Sequence, residues 1–334
     1  MRIGILVLYV YSALEGQQAV SQDLTGRVPL DDVCIDFNRT ALNYVAVGRL
    51  KDAESTLSAA LADPTSGFGQ WCDWLTLHNL ATVMGLSGRL VEAEVLEKRS
   101  LKILEKGYPP DDPVLLRPLE SLVQIQFQQR EIGKARETFR RLQSISIERP
   151  ADRAVVQGMG ASLLYTEGRY HEAEAEYLKA LDAWAESGRG ETPDVAAVLG
   201  GLAALYVSDD GRYREAGRTL DRAIAIVTSA KDAVPTDWIR LFSTRAELHV
   251  RQIEWREAKA DLGVAMSAAD PETRLDPAFL KSLLANYAYV LRKNHRRREA
   301  RSIEARAAAL QIRKLTDGVV DIIELRAKPR TDKK

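Results

Sequence analysis

The chain has 334 residues, 46% of them hydrophobic and 28% charged, so it can bury a substantial core and is not a globally disordered sequence. Lysine plus arginine equal aspartate plus glutamate at 47 each, and this balance excludes the broad basic field that draws a protein to nucleic acid or an anionic membrane. The length fits either two globular domains or one repeat array that grows by stacking.

At the N-terminus, Met1-Arg2 precedes a charge-free run from Ile3 to Leu14 and then polar residues 15–18. One positive charge, a short apolar core and small residues at Ser12, Ala13 and Gly16 have the make-up of a signal peptide over residues 1–16; an N-terminal helix capping the following structure is the alternative. The expected location is therefore secreted or periplasmic, with the cytoplasm as the alternative. No other stretch approaches the ~20 apolar residues needed to span a bilayer, so no stable membrane span is expected.

From Gly48 onward one short pattern recurs: a turn residue, then an arginine or apolar residue, then a charged residue followed by alanine. It occurs as Gly48-Arg-Leu-Lys-Asp-Ala53, Gly88-Arg-Leu-Val-Glu-Ala93, Arg130-Glu-Ile-Gly-Lys-Ala135 and Gly168-Arg-Tyr-His-Glu-Ala173. It returns as Gly211-Arg-Tyr-Arg-Glu-Ala216, Ile253-Glu-Trp-Arg-Glu-Ala258 and His295-Arg-Arg-Arg-Glu-Ala300. The alanines are 40, 42, 38, 43, 42 and 42 residues apart. About twelve residues upstream of each stands Ala41, Ala81, Val123, Ala161, Ala203, Ala246 or Ala288. Facing small residues let two helices approach closely, and an i, i+4, i+7 stripe such as Ala173, Tyr177 and Ala180 continues the second helix, so each unit reads helix, turn, helix. Pro113, Pro150, Pro193, Pro235 and Pro277 mark the starts of first helices, where a missing N–H costs nothing. Cys34 and Cys72 fall near the starts of two adjacent first helices, where a disulfide clamping the N-terminal end is geometrically allowed; two unbonded thiols are the alternative.

The segments His78 to Glu94 and Leu202 to Ala216 resemble tetratricopeptide repeats, and the ~42-residue period with proline-containing spacers resembles the kinesin-light-chain-like subgroup widespread in bacteria. The resemblance covers residues 30–315 and implies an all-α, right-handed superhelical solenoid of about seven antiparallel helix pairs. Two departures predict irregular units: an extra residue at Asp209-Asp210, and the absence of a turn glycine in the third and sixth repeats. Residues 316–334 read as a short tail, β-branched at first, with a basic, disordered last nine residues. From Leu291 to Lys334 there are 14 basic and six acidic residues, which reads as a last-repeat loop and a soluble tail.

No catalytic constellation is found. His78, His171, His249 and His295 belong to four different repeats, and no H-E-x-x-H, C-x-x-C, EF-hand, phosphate-loop or nucleophile-elbow motif occurs, so no enzyme activity, metal or cofactor is expected. His171-Glu-Ala-Glu-Ala-Glu176 reads as the solvated start of a second helix. Gly158, Gly160, Gly200 and Gly201 lie inside first helices and are expected to remove bulk from an inner wall.

In a solenoid of this family the first helices line a concave groove for a protein or an extended peptide. The register assigns Asn38, His78, Asn79, Gln124, Gln128, Tyr165, Arg240, Glu247, Asn286, Tyr289 and Arg292 to that wall. The resemblance implies that Asn79 and Asn286 contact an extended ligand. The lysine-and-asparagine clamp by which chaperone-binding members hold a carboxylate is absent, since the first repeat offers Asn38 and Leu42 there. The expected function is a non-catalytic protein- or peptide-binding scaffold. The alternative is a peptide-sensing regulatory module acting on a signalling or transcription partner.

Overall fold

The computed structural model describes residues 32–62, 70–209, 212–230, 233, 235–269 and 277–310. The expected signal segment at 1–16 and the tail at 316–334 lie outside these residues. Among the described residues the structure is a succession of α-helices with one 3-10 turn, Pro113–Leu115, and no strand. In order they are α1 (Asp32–Ala46), α2 (Leu50–Ala62), α3 (Gln70–Leu86), α4 (Leu90–Leu104), α5 (Leu116–Gln128), α6 (Ile132–Leu142) and α7 (Pro150–Thr166). Then come α8 (Tyr170–Glu186), α9 (Pro193–Ser208), α10 (Tyr213–Ser229), α11 (Pro235–Arg251), α12 (Trp255–Ala268), α13 (Pro277–Lys293) and α14 (Arg297–Ala309). The chain divides into two compact units, one ending at Arg274 and one starting at Leu275. The first holds six consecutive helix pairs, each packed on the next; the second holds the α13–α14 pair.

Helix boundaries follow the sequence signals. Pro150, Pro193, Pro235 and Pro277 are each the first residue of a helix, and Pro113 opens the 3-10 turn that runs into α5. The paired small residues Ala41 and Ala53, Ala81 and Ala93, Ala161 and Ala173, and Ala203 and Ala216 are all fully buried, as a close helix crossing requires. In three repeats the motif arginine just before the second helix binds the carboxylate three residues on: Arg49 to Asp52 at 2.8 Å, Arg89 to Glu92 at 2.8 Å and Arg169 to Glu172 at 2.7 Å. The acidic residue before the motif alanine thus faces the helix N-terminus and a guanidinium at once.

The turns correct one expectation. Gly48, Gly88 and Gly168 adopt φ near +75°, which suits glycine, and the third, sixth and seventh turns place Arg130 (φ 62°), Ile253 (φ 66°) and His295 (φ 61°) in the same left-handed region. Their backbone bonds repeat those of the glycine turns: Arg89 N–H to Met84 O at 2.9 Å is matched by Glu131 to Gln126 at 2.9 Å and Glu254 to His249 at 2.8 Å. The units without glycine are not kinked; helix packing on both sides imposes the turn and the side chain tolerates it.

The first-helix glycines correct a second. A Cβ on Gly160 would stand 2.9 Å from the Phe139 ring, one on Gly200 would stand 2.9 Å from Leu241, and one on Gly201 would stand 2.6 Å from the Tyr177 hydroxyl. These glycines admit neighbouring side chains into the core and do not widen a wall.

Candidate ligand-binding wall on the first helices

The first helices of the larger unit, α1, α3, α5, α7, α9 and α11, carry most of the residues assigned to a binding wall, and the structure places them in three ways. Asn38 and Asn79 are buried, 3% and 1% exposed, and they bind each other: the Asn79 amide donates to Asn38 Oδ1 at 2.7 Å. The Asn38 amide in turn donates to Thr76 Oγ1 at 3.1 Å and to the Cys34 carbonyl at 3.0 Å. These asparagines tie α1 to α3 and do not present their amides to a ligand. Cys34 and Cys72, one turn before Asn38 and Thr76, are joined as a disulfide with Cα atoms 5.9 Å apart.

His78, Arg240 and Glu247 are also buried, each about 6% exposed. His78 Nδ1 shares a hydrogen bond of 2.8 Å with Glu97 Oε1, and the other Glu97 oxygen accepts from the Ser121 hydroxyl at 2.9 Å. Arg240 donates to Asp237 at 2.9 Å, and Glu247 accepts from Arg251 at 3.5 Å. The expectation that these side chains line an open groove is therefore corrected. A charged group taken out of water needs a partner, and these residues find theirs inside the stack.

Gln124, Gln128 and Tyr165 remain half-buried. The Tyr165 hydroxyl shares a 2.8 Å hydrogen bond with Ser208, and its ring tilts against Tyr170 with centroids 5.7 Å apart. Asn286, Tyr289 and Arg292 lie on α13 in the second unit. Asn286 and Tyr289 are half-buried there, Lys293 stands 5.6 Å over the Tyr289 ring, and exposed Arg292 grips Glu304 with two bonds of 2.7 and 2.8 Å.

A charged network that the sequence reading did not single out runs beside Gln124. Arg117 donates to Glu120 at 2.8 Å and to Asp152 at 2.7 Å, and Arg149 donates to the second Asp152 oxygen at 2.8 Å. Burial pushes the Glu120 carboxyl above the usual glutamate range, with Asp152 adding to the rise and Arg117 opposing it, and Glu120 Oε1 has no hydrogen-bond partner. The legible signal was the proline followed by aspartate at helix starts: Asp152, Asp194 and Asp237 all occupy the first turn of a first helix, and all are buried. An acidic residue is stabilised there by the helix N-terminus, which lets it be buried beside an arginine.

The pairing of helices, the repeated turn and the small-residue crossings are those of a known repeat family, and the family model for the tetratricopeptide repeat matches residues 152–229, which is α7 to α10. Residues 152–229 carry tetratricopeptide repeats. Its fold is similar to the crystal structure of a tetratricopeptide repeat protein from Parabacteroides merdae ATCC 43184, with a TM-score of 0.53 and 20% identity over 85% of this chain and 95% of that one. It is also similar to RapI in its apo form, with a TM-score of 0.61 and 13% identity over 82% of this chain and 96% of that one. A Rap protein complexed with Competence and Sporulation Factor gives a TM-score of 0.58 and 16% identity over 82% of this chain and 76% of that one. At these identities the likeness is one of fold. No curated protein matches the chain. No helix among the described residues is long and apolar enough to cross a membrane.

Proposed function

We propose that this chain is a non-catalytic scaffold of long-period, kinesin-light-chain-like tetratricopeptide repeats that binds a protein or an extended peptide along the first helices of its larger unit. The observation that carries the reading is the half-buried polar set Gln124, Gln128 and Tyr165 on α5 and α7, beside a rigid charged network. Glutamine amides donate to and accept from a peptide backbone, and a tyrosine adds contact area with a polar tip. The surrounding ion pairs hold α5 and α7 in register, so the surface is organised before a ligand arrives. The Cys34–Cys72 pair supports an oxidising compartment, secreted or periplasmic, as the place of action.

A second reading, a regulatory module that senses a peptide and acts on a further partner, takes its support from the Rap protein whose complex with Competence and Sporulation Factor has a similar fold. The two readings share the binding surface and differ in whether ligand binding alters a second interaction.

The test is photo-crosslinking in the native cell from probes replacing Gln124 or Tyr165, against probes replacing the exposed outer residues Leu178 and Val264. Discrete protein or peptide adducts from the first two positions alone are expected. Adducts only from the outer positions, or none from any, overturn the reading.

A further inference from the structure

A cleft of about 290 Å³ lies between the end of α2, the first half of α3 and the last half of α4. Leu61, Leu77 and Ile103 give it apolar surface, Asp73 stands at one side, and Arg99, Lys102 and Lys106 line the other. It is independent of the set around Gln124, and the proposed function does not use it.

The three cations stand together on one side of the cleft. Counted from the motif alanine of each second helix, Arg99 has the same register as Arg306, which likewise shows no ion pair among the described residues, and as Arg141, Lys179 and Arg222. The last three each hold a carboxylate: Glu105 at 2.5 Å, Glu176 at 2.7 Å and Glu191 at 3.1 Å. No ion pair joins Arg99, Lys102 or Lys106 to a carboxylate among the described residues; Arg99 acts on Asp73 at longer range, where burial raises the Asp73 carboxyl and Arg99 opposes the rise. The negative end of α4 accounts for a cation in its last turn. It does not account for three on one side of a cleft with an apolar floor.

We propose that this cleft binds a small organic anion, a phosphate or carboxylate group carried on an apolar body, with the charged group held by Arg99, Lys102 and Lys106 and the body against Leu61, Leu77 and Ile103. Arg99 supplies a planar fork suited to an oxyanion, and the two lysines supply mobile point charges that follow it. The volume is at the small end for ligand sites, which limits the body to about one ring.

The test is calorimetric titration of the full chain with phenyl phosphate, benzoate and, as uncharged control, benzyl alcohol. Saturable binding of phenyl phosphate, benzoate or both is expected, and which of them binds tells the phosphate from the carboxylate. Affinity should fall at least about tenfold in the Lys102→Gln/Lys106→Gln variant and again in Arg99→Gln, and stay unchanged in Lys51→Gln/Arg218→Gln. The substituted side chains are exposed, so circular dichroism of each variant should match the parent. Equal affinity in the cleft and control variants, equal binding of benzyl alcohol, or no binding up to about 10 mM overturns the proposal.

Discussion

The first helices α1 and α9 occupy the same register in the repeat and are held in opposite ways. In α9 every residue from Asp194 to Val207 is buried, because helices pack on it from the repeats before and after as well as from its own. In α1 only Cys34, Asn38 and Ala41 are buried among residues 34–46, and Phe37 is 40% exposed. α1 is fastened to its neighbours by a covalent bond and a chain of amide hydrogen bonds to α3, added to a small apolar cluster in which Ala41, Tyr44 and Val45 meet Leu80, Val83 and Met84. The difference teaches that a repeat with fewer neighbours among the described residues buries less apolar surface there, and that other links help it stay in register.

The largest expected effect tests the buried end of this comparison. Leu205→Ala should cost about 2–5 kcal/mol in urea denaturation, whereas Phe37→Ala should stay within about 0.5 kcal/mol; equal costs would break the contrast. Next, replacing Cys34 and Cys72 together by alanine should cost about 2–4 kcal/mol. The loss should be local: hydrogen exchange should quicken through α1 and α2 while α9 keeps its protection, and uniform quickening would show that the bond stabilises the whole array. Asn38→Ala should cost about 1–3 kcal/mol, since it strands the buried Asn79 amide, and the cost should grow once the disulfide is removed.

Smaller effects sharpen the point that packing can override local preference. Ile253→Gly should raise stability by about 0.5–1 kcal/mol, the relief of a β-branched residue at φ 66° less the extra chain entropy of glycine. The smallest concerns Glu120 on α5, which is buried like α9 but carries charge. Its carboxyl is raised in the folded state, so its contribution is complete below the unfolded value and is lost as pH rises through the folded one. Glu120→Gln should therefore melt like the parent in acid and higher than the parent above the raised value; a difference of the opposite sign would mean that the Arg117 ion pair outweighs burial.

Much of the fold was legible because its signals are local. The alanine pairs, the prolines at helix starts and the glycine turns each act within a few residues, so their recurrence was enough to place the helices. The binding wall was legible only as a register: position on a first helix assigned Asn38, His78, Asn79 and Arg240 to it, while their burial depends on what the adjoining helices bring. Asn79 meets Asn38 from 41 residues away, and His78 meets Glu97 on the second helix of its own pair.

By itself, then, the sequence determined the helix pairs and their period, because helix signals and small-residue crossings are short-range. It also brought Cys34 and Cys72 to the same place in adjacent first helices. Only the tertiary structure decided which polar groups are enclosed, that Arg130, Ile253 and His295 take a glycine's conformation, that the first-helix glycines receive Phe139, Leu241 and Tyr177, and that three cations at and just beyond the end of α4 line a cleft with no carboxylate partner among the described residues. Each of these depends on the distance between segments far apart in sequence, which repeat spacing constrains but side-chain packing settles.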